Sequence, residues 1–203
     1  MEQPLEFEYT PEFYAEKSTR TWLSRIRTVA DLKQYEYKPI RQKKITHLKM
    51  MYQGHPPEGR GLECGFAAGN SLFWLSKLYK GIVGFDAYDW NPALERIIPL
   101  LYRIHKWTLA RAVISQGVPP RWRGYDWINC CDYLEHLDED TYWREIRALY
   151  KALKPGGIMG VYVGQAQSVK QHIRIVPPHQ TRFELRKVGF TPITDYLYMK
   201  ETK

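Results

Sequence analysis

The sequence predicts a doubly wound α/β domain built on a mostly parallel sheet of six or seven strands, preceded by a helical lead-in. Three observations carry that expectation. From Gly61 onward, short β-type runs alternate with amphipathic stretches of helical period, the order that a parallel sheet requires. The first of these runs, GLEC, passes through the glycine turn Gly65-Phe66-Ala67-Ala68-Gly69 into a helical stretch. A chain of 203 residues buries one sizeable core but is too short for two ordinary domains.

Each element has its own reason. Residues 1–59 carry aromatic and charged residues at helical spacing, such as Trp22, Ile26 and Val29, and end in the turn-rich QGHPPEGRG, so they read as an extension ahead of a domain over 60–203. GLEC is the first strand. Asn70 or Ser71 caps a helix with Leu72, Leu75, Leu78 and Tyr79 on its apolar side, and GIVGF is a buried strand that reaches Asp86. Asn91 followed by Pro92 starts a further helix, which Pro99 breaks or restarts. LLYRIHKWTLARAVIS reads as one helix or as a helix leading into a short strand near Ala112 to Ile114. YDWINCC is a strand, and DEDTYWREIRALYKAL is a helix with Tyr142, Ile146, Leu149 and Leu153 toward a core, stopped by LKPGG. GIMGVYV is another buried strand, TRFELRKVGF a helix ended by Gly189, and TPITDYLYM a closing strand.

Composition narrows the function classes. No apolar run is long enough to span a membrane, and the acidic, aromatic start MEQPLEFEYTPEFY is unlike a signal peptide, so a cytoplasmic protein is expected. Three cysteines, two of them adjacent, lack both a disulfide framework and zinc-site spacing; they read as reduced thiols, and no metal is expected. The net charge of +8 gathers at Arg41, Lys43 and Lys44, along the acid-free stretch from Arg103 to Arg123, and from Lys170 to Arg174. Such an excess favours an acidic or otherwise anionic partner without choosing among glycan, nucleic acid and protein.

Four motifs stand in order: Glu63 to Asn70, Asp86 after GIVGF, YDWINCCDYLEHL, and LKPGG. Together they resemble the class I S-adenosylmethionine-dependent methyltransferases of the small single-domain type, over roughly residues 60–190. The resemblance implies a Rossmann-like methyltransferase fold with S-adenosylmethionine as cofactor. It implies that Glu63 supports the turn and the ligand's amino end, while Gly65, Gly69 and Asn70 bring backbone and helix amides close to the ligand. Ala67 stands where the family has its middle glycine. Asp86, followed by Ala87, is the implied ribose-binding acid, with Asp89 as the spare candidate. Ser115, in Ile114-Ser115-Gln116, stands where an Asp-Ala pair usually holds the adenine. Cys130 is placed near the methionine arm.

Asp132, Tyr133, Glu135 and His136 are implied to face the donor methyl group. His136 is the natural general base for a hydroxyl acceptor, because its pKa lies near neutrality. The alternative is that Glu135 and His136 only open the next helix and orient the loop. His172, Arg174 and His179 are implied to border the acceptor pocket. No NPPY or DPPY ends the fourth strand, so the expected reaction is methylation of an O or N atom on a small molecule or glycan. Two alternatives remain: an RNA or DNA methyltransferase, suggested by the basic clusters with Trp107 and Trp122, and a methyltransferase-like subunit that binds without turnover. The Gly65 to Gly69 spacing disfavours a nicotinamide oxidoreductase. Fourteen residues follow Gly189, room for one clear closing strand rather than the family's usual pair. A trimmed sheet edge would be open to an oligomer contact or a partner chain.

Overall fold

The computed structural model describes residues 26–31, 39–67, 69–104, 109–164 and 172–202. In chain order the elements are helix α1 (Pro39–Met51), strand β1 (Gly59–Cys64), α2 (Asn70–Leu78), β2 (Ile82–Asp89), α3 (Ile98–Ile104), β3 (Leu109–Ile114), β4 (Tyr125–Cys131), α4 (Glu139–Ala152), β5 (Leu153–Tyr162), α5 (Pro178–Val188), β6 (Phe190–Pro192) and β7 (Leu197–Lys200). Short 3-10 turns lie at Pro92–Leu94 and Leu134–His136. The strands form one sheet in the order β3-β2-β1-β4-β5-β7-β6. Neighbours are parallel except that β7 runs antiparallel to both β5 and β6. The expected doubly wound sheet is present.

Alternation along the strands divides the core in two. Phe85, Ala87, Trp127, Cys131 and Leu197 pack with Leu48, Met51 and Tyr52 from the α1 end, Leu72 and Leu75 of α2, and Leu101 of α3. Leu62, Cys64, Tyr88, Ile128, Cys130, Met159 and Val161 pack on the other face with Ile146 and Leu149 of α4 and Leu185 of α5. Each fully buried leucine of this kind stabilises the fold by about 2 kcal/mol. Tyr52 ties the lead-in to the sheet with a polar tip as well, donating toward the Ile128 carbonyl at 3.1 Å and Asn129 Oδ1 at 3.1 Å. The fully buried Trp127 ring lies where a side chain on Gly61 would stand, so that strand position must be glycine.

Several elements differ in detail from the sequence expectation. Gly69, rather than Asn70 or Ser71, occupies the cap position of α2, because the chain enters the helix with φ 79°, a left-handed conformation that glycine adopts without strain. The region of Pro92 divides into a 3-10 turn and α3, with Pro99 in the first turn of α3, where its missing N–H costs nothing. The ambiguous stretch ending at Ile114 is a helix leading into a strand. LKPGG lies within β5: Tyr125 pairs with Leu153 and Trp127 with Ile158, so the ladder bulges around Gly156, which has φ 75°. The closing segment makes two short strands, of three and four residues, and β6 forms the sheet edge. Trp22 and Trp107 lie outside the described residues. Among the described residues, no helix is long and apolar enough to cross a membrane.

Candidate functional site

The strand order changes direction between β1 and β4, and a crevice therefore opens at the carboxyl ends of the parallel strands. Glu63, the penultimate residue of β1, faces the α1 side and is fully buried. Its Oε2 accepts from Asn129 Nδ2 at 2.8 Å, while Oε1 has no hydrogen-bond partner among the described residues. Burial pushes this carboxyl up to about 8, against the pull of Asn129 and Lys44.

The turn after β1 is held in left-handed conformations at Gly65 (φ 67°), Ala67 (φ 45°) and Gly69 (φ 79°). Gly65 also has no room for a side chain, since a Cβ there would lie 2.6 Å from the Tyr133 ring. Ala67 adopts the left-handed turn despite its methyl group, so the missing glycine costs conformational strain. Its amide donates to Asp89 Oδ2 at 2.9 Å. Asn70 opens α2 almost fully buried, and its carbonyl oxygen lacks a hydrogen-bond partner among the described residues.

β2 extends beyond its expected end. The strand does not stop at Asp86 but runs on to Asp89, with Asp86 opposite Leu62 and Ala87 opposite Glu63. Asp86 is fully buried and already satisfied. It accepts from Arg111 Nη2 at 2.7 Å, Arg60 Nη2 at 2.8 Å and the Tyr125 hydroxyl at 2.6 Å. Burial alone would raise its pKa, but the Arg111 and Tyr125 hydrogen bonds and the charge of Arg60 hold it below the usual carboxylate range. Ala87 is likewise interior and packed in the core. The acid at the strand's end is Asp89, whose oxygens accept only backbone amides, from Ala67 at 2.9 Å and Asn91 at 2.9 Å. Burial pushes it up to about 6 against those amides.

Ser115 follows β3, donates its hydroxyl to the Gly117 carbonyl at 2.8 Å and is joined by its amide to the Asp89 carbonyl. Cys130 is fully buried on the α4 face beside Cys64. Cys131 lies on the opposite face: Lys44 of α1 contacts its carbonyl oxygen at 3.3 Å and its Sγ at 3.5 Å. Lys44 Nζ also pairs with Asp132 Oδ2 at 2.7 Å. Burial would lower the Lys44 pKa, but Cys131 and Asp132 outweigh it and raise it above the ordinary value. Asp132 itself has φ 54°, a conformation that aspartate tolerates better than most residues. Beside it, His47 stacks on Tyr162 with ring centroids 3.8 Å apart.

Glu135 and His136 sit in the 3-10 turn at Leu134–His136. Glu135 is fully buried; its Oε1 accepts from the Gly164 amide at 2.7 Å, and its backbone carbonyl accepts from Ile173 and Arg174. Burial and nearby Asp132 push its carboxyl up to about 7. His172 lies 3.9 Å from Glu135 and meets His136 edge to face. Arg174 points elsewhere, pairing with Glu139 and Glu184, and His179 lies exposed in the first turn of α5.

Two participants are not placed at the site by the sequence, where Lys44 reads only as part of a basic cluster. Lys44 carries no local signal, because its partner lies 88 positions away. Glu145 interrupts the apolar face of α4, which is a legible hint. It accepts from the hydroxyls of Tyr88 and Tyr133, and Tyr133 accepts from Trp90 Nε1 at 2.6 Å. This buried chain of polar groups braces the floor of the crevice.

A family model described as a methyltransferase domain matches residues 35–194. No curated protein sequence matches the chain. Among solved structures, the N-methyltransferase NodS from Bradyrhizobium japonicum WM9, in complex with S-adenosyl-L-homocysteine, is similar with a TM-score of 0.62 at 17% identity, over 87% of this chain and 100% of that one. A SAM-dependent methyltransferase from Archaeoglobus fulgidus gives 0.57 at 19% identity, over 74% and 69%. The 4+2 cyclase SpnF gives 0.60 at 18% identity over 75% of this chain, which spans only 59% of the cyclase. At these identities the likeness is one of fold, and a fold hosts more than one chemistry. The family match covers most of the chain and coincides with the glycine turn and the strand order, and the protein belongs to the class I S-adenosylmethionine-dependent methyltransferases.

Proposed function

We propose that the protein transfers a methyl group from S-adenosylmethionine to an oxygen or nitrogen atom of a small molecule or glycan. The observation that carries this reading is the pair of acids at the ends of adjacent strands, Glu63 on β1 and Asp89 on β2. Neither forms an ion pair among the described residues. The orphaned oxygen of Glu63 suits the ammonium of the methionine arm, and Asp89 suits the two ribose hydroxyls. The open amides at the start of α2 suit the methionine carboxylate. Ser115 and the end of β3 would border the adenine, though the Ser115 hydroxyl is committed to Gly117.

The cofactor supplies an electrophilic methyl on a sulfonium, so the chain's own residues need chiefly to align an acceptor beside it. Asp132, held by Lys44, and the His47–Tyr162 stack supply one wall of that space. His136 is placed to accept a proton from a hydroxyl acceptor. The small-molecule reading is favoured over nucleic acid because Trp122 is buried rather than available for stacking on bases. Arg111, for its part, is paired with Asp86 and stacked on Trp122. Three buried free cysteines suit a reducing, cytoplasmic setting.

Calorimetry with S-adenosylmethionine, followed by product detection over hydroxylated aromatics, amino sugars and short RNAs, tests the reading. Binding with turnover of a small molecule is expected. Absence of heat at millimolar ligand would refute the cofactor site, and turnover confined to RNA with steep salt dependence would replace the acceptor class.

A further inference from the structure

We propose that Glu135, His136 and His172 form a binding site for one first-row divalent cation beside the cofactor crevice. One ligand atom from each residue, a carboxylate oxygen and two imidazole nitrogens, lies within 4.8 Å of the other two. The three side chains come from two segments fixed to one another by backbone. The amides of Ile173 and Arg174 both donate to the Glu135 carbonyl, at 2.9 and 3.1 Å, which sets His172 against the 3-10 turn that carries the other two.

The convergence is sharpest above Gly164. A Cβ on that residue would lie 2.5 Å from Glu135 Oε1, 2.9 Å from His172 Cε1 and 3.3 Å from Asp132 Oδ1. Only glycine leaves this point open, and the side chains around it all carry metal-ligating atoms. Glu135 supplies the independent sign of a missing partner. It is fully buried, its Oε1 takes the Gly164 amide, and its Oε2 makes no hydrogen bond among the described residues. A buried carboxylate oxygen without a donor is costly, and a cation held between it and the two imidazoles removes that cost.

The donor set selects the class of ion. Two imidazoles with one carboxylate suit zinc, cobalt, nickel, iron or manganese, whereas calcium and magnesium prefer oxygen ligands throughout. Three protein ligands leave positions open on the ion, and Asp132 Oδ1, 3.3 Å from where a Gly164 Cβ would stand, is close enough to steady a bound water. A cation here would draw an oxygen of the acceptor toward the crevice and make a bound hydroxyl more acidic. That role rests on the proposed methyl transfer, and there the cation takes over from His136 as the activator of the hydroxyl, because an imidazole bound to a metal has no free lone pair for a proton; the binding itself does not rest on it.

The test is a titration of chelator-treated, dialysed full-length protein with Co2+, followed by visible absorption, and with Zn2+ and Mn2+ by calorimetry, without cofactor. One equivalent of Co2+ or Zn2+ is expected to bind, with cobalt bands typical of mixed nitrogen and oxygen ligation. Glu135→Gln and His172→Ala should each weaken binding at least tenfold. Gly164→Ala, which fills the convergence point while keeping every ligand, should do the same. The cation should raise the Tm of the parent protein but not of His172→Ala. The proposal is overturned if no cation binds at millimolar concentration. It is also overturned if binding survives in His172→Ala and is lost in His47→Ala, which would assign the ion to the neighbouring group of His47, Cys131 and Asp132. S-adenosylmethionine calorimetry on the same samples reads the cofactor site separately, so failure of either reading is visible on its own.

Discussion

β2 carries two aspartates three residues apart in opposite electrical surroundings, Asp86 fully buried and Asp89 only partly so. Asp86, within the strand, meets two guanidinium groups and a phenol, and its pKa is held low. Asp89, at the strand's end, meets only backbone amides, and its pKa is pushed up to about 6. The same contrast extends across the sheet. Glu63 and Glu135 also lie near strand ends, and burial raises both. A buried acid without a cation lowers stability, so the fold bears a cost at the end where a ligand is expected and none at Asp86. The difference separates the acid already neutralised within the fold from the acids that the proposed cofactor and cation sites would engage.

Isosteric substitution should break the comparison most forcefully at Asp86. Asp86→Asn turns an amide N–H2 toward three donors and leaves Arg60 and Arg111 without their carboxylate. We expect a loss of about 3 kcal/mol, or a fall in Tm of about 9 °C by calorimetry. Affinity for S-adenosylmethionine should change less than twofold. The sign of the pH effect follows from the lowered pKa: the stability Asp86 contributes is present above the unfolded-state pKa and is lost as pH falls through its folded value. The variant should therefore show a shallower acid limb. Equal acid limbs in the two proteins would count against the pairing.

Asp89→Asn should show the converse pattern. Removing the charge from the proposed ribose acceptor weakens two charge-assisted hydrogen bonds, about 2 to 3 kcal/mol together, or roughly 30- to 150-fold in Kd. Stability should stay within about 1 kcal/mol, because one amide contact is lost while a partly buried charge is relieved. An affinity unchanged in Asp89→Asn but lost in Asp86→Asn would restore the ribose role to Asp86.

Glu63 sharpens the contrast through pH. With a folded value of about 8, its carboxyl is protonated at pH 7 before the ligand arrives. Binding the ammonium of the methionine arm should then release a proton, and affinity should rise with pH by up to tenfold per unit until about pH 8. Calorimetry in buffers of different ionisation heat reads the proton directly, and Glu63→Gln should abolish it. For stability the sign is reversed. The folded state holds a proton that the unfolded state has lost between about pH 4.5 and 8, so Glu63 makes stability fall as pH rises through that window. No proton release in the parent protein would place the ammonium elsewhere.

Asp86 also shows where the sequence was legible and where it was not. The strands and their alternation with helices could be read locally, because apolar runs, proline and glycine act within a few residues of themselves. The end of β2 could not. Asp86 interrupts an apolar run and therefore looks like its boundary, yet Arg60 and Arg111, 26 and 25 positions away, neutralise it and let the strand continue to Asp89. The expected strand end was thus displaced by three residues. Cys130 and Cys131 could not be told apart for a related reason, since which of two adjacent residues faces the crevice depends on strand register. Lys44 was hidden by distance alone. By contrast, Glu135 and His136 were legible as a pair, because one 3-10 turn carries both.

The smallest effect concerns Ala67, which stands where the family has its middle glycine. The backbone there shows φ 45°, a conformation that costs a non-glycine residue roughly 1 kcal/mol. Part of that cost is offset by the smaller entropy an alanine loses on folding. Ala67→Gly should therefore gain only about 0.5 kcal/mol in stability. Its effect on cofactor affinity tells more. If the methyl group projects toward the ligand, the gain in affinity should exceed the gain in stability. If it only strains the turn that Asp89 already pins through the Ala67 amide, affinity should stay constant while Tm rises by about 1 to 2 °C. The second outcome is expected, because the Asp89 contact fixes this backbone before any ligand arrives, and a fivefold gain in affinity would overturn it.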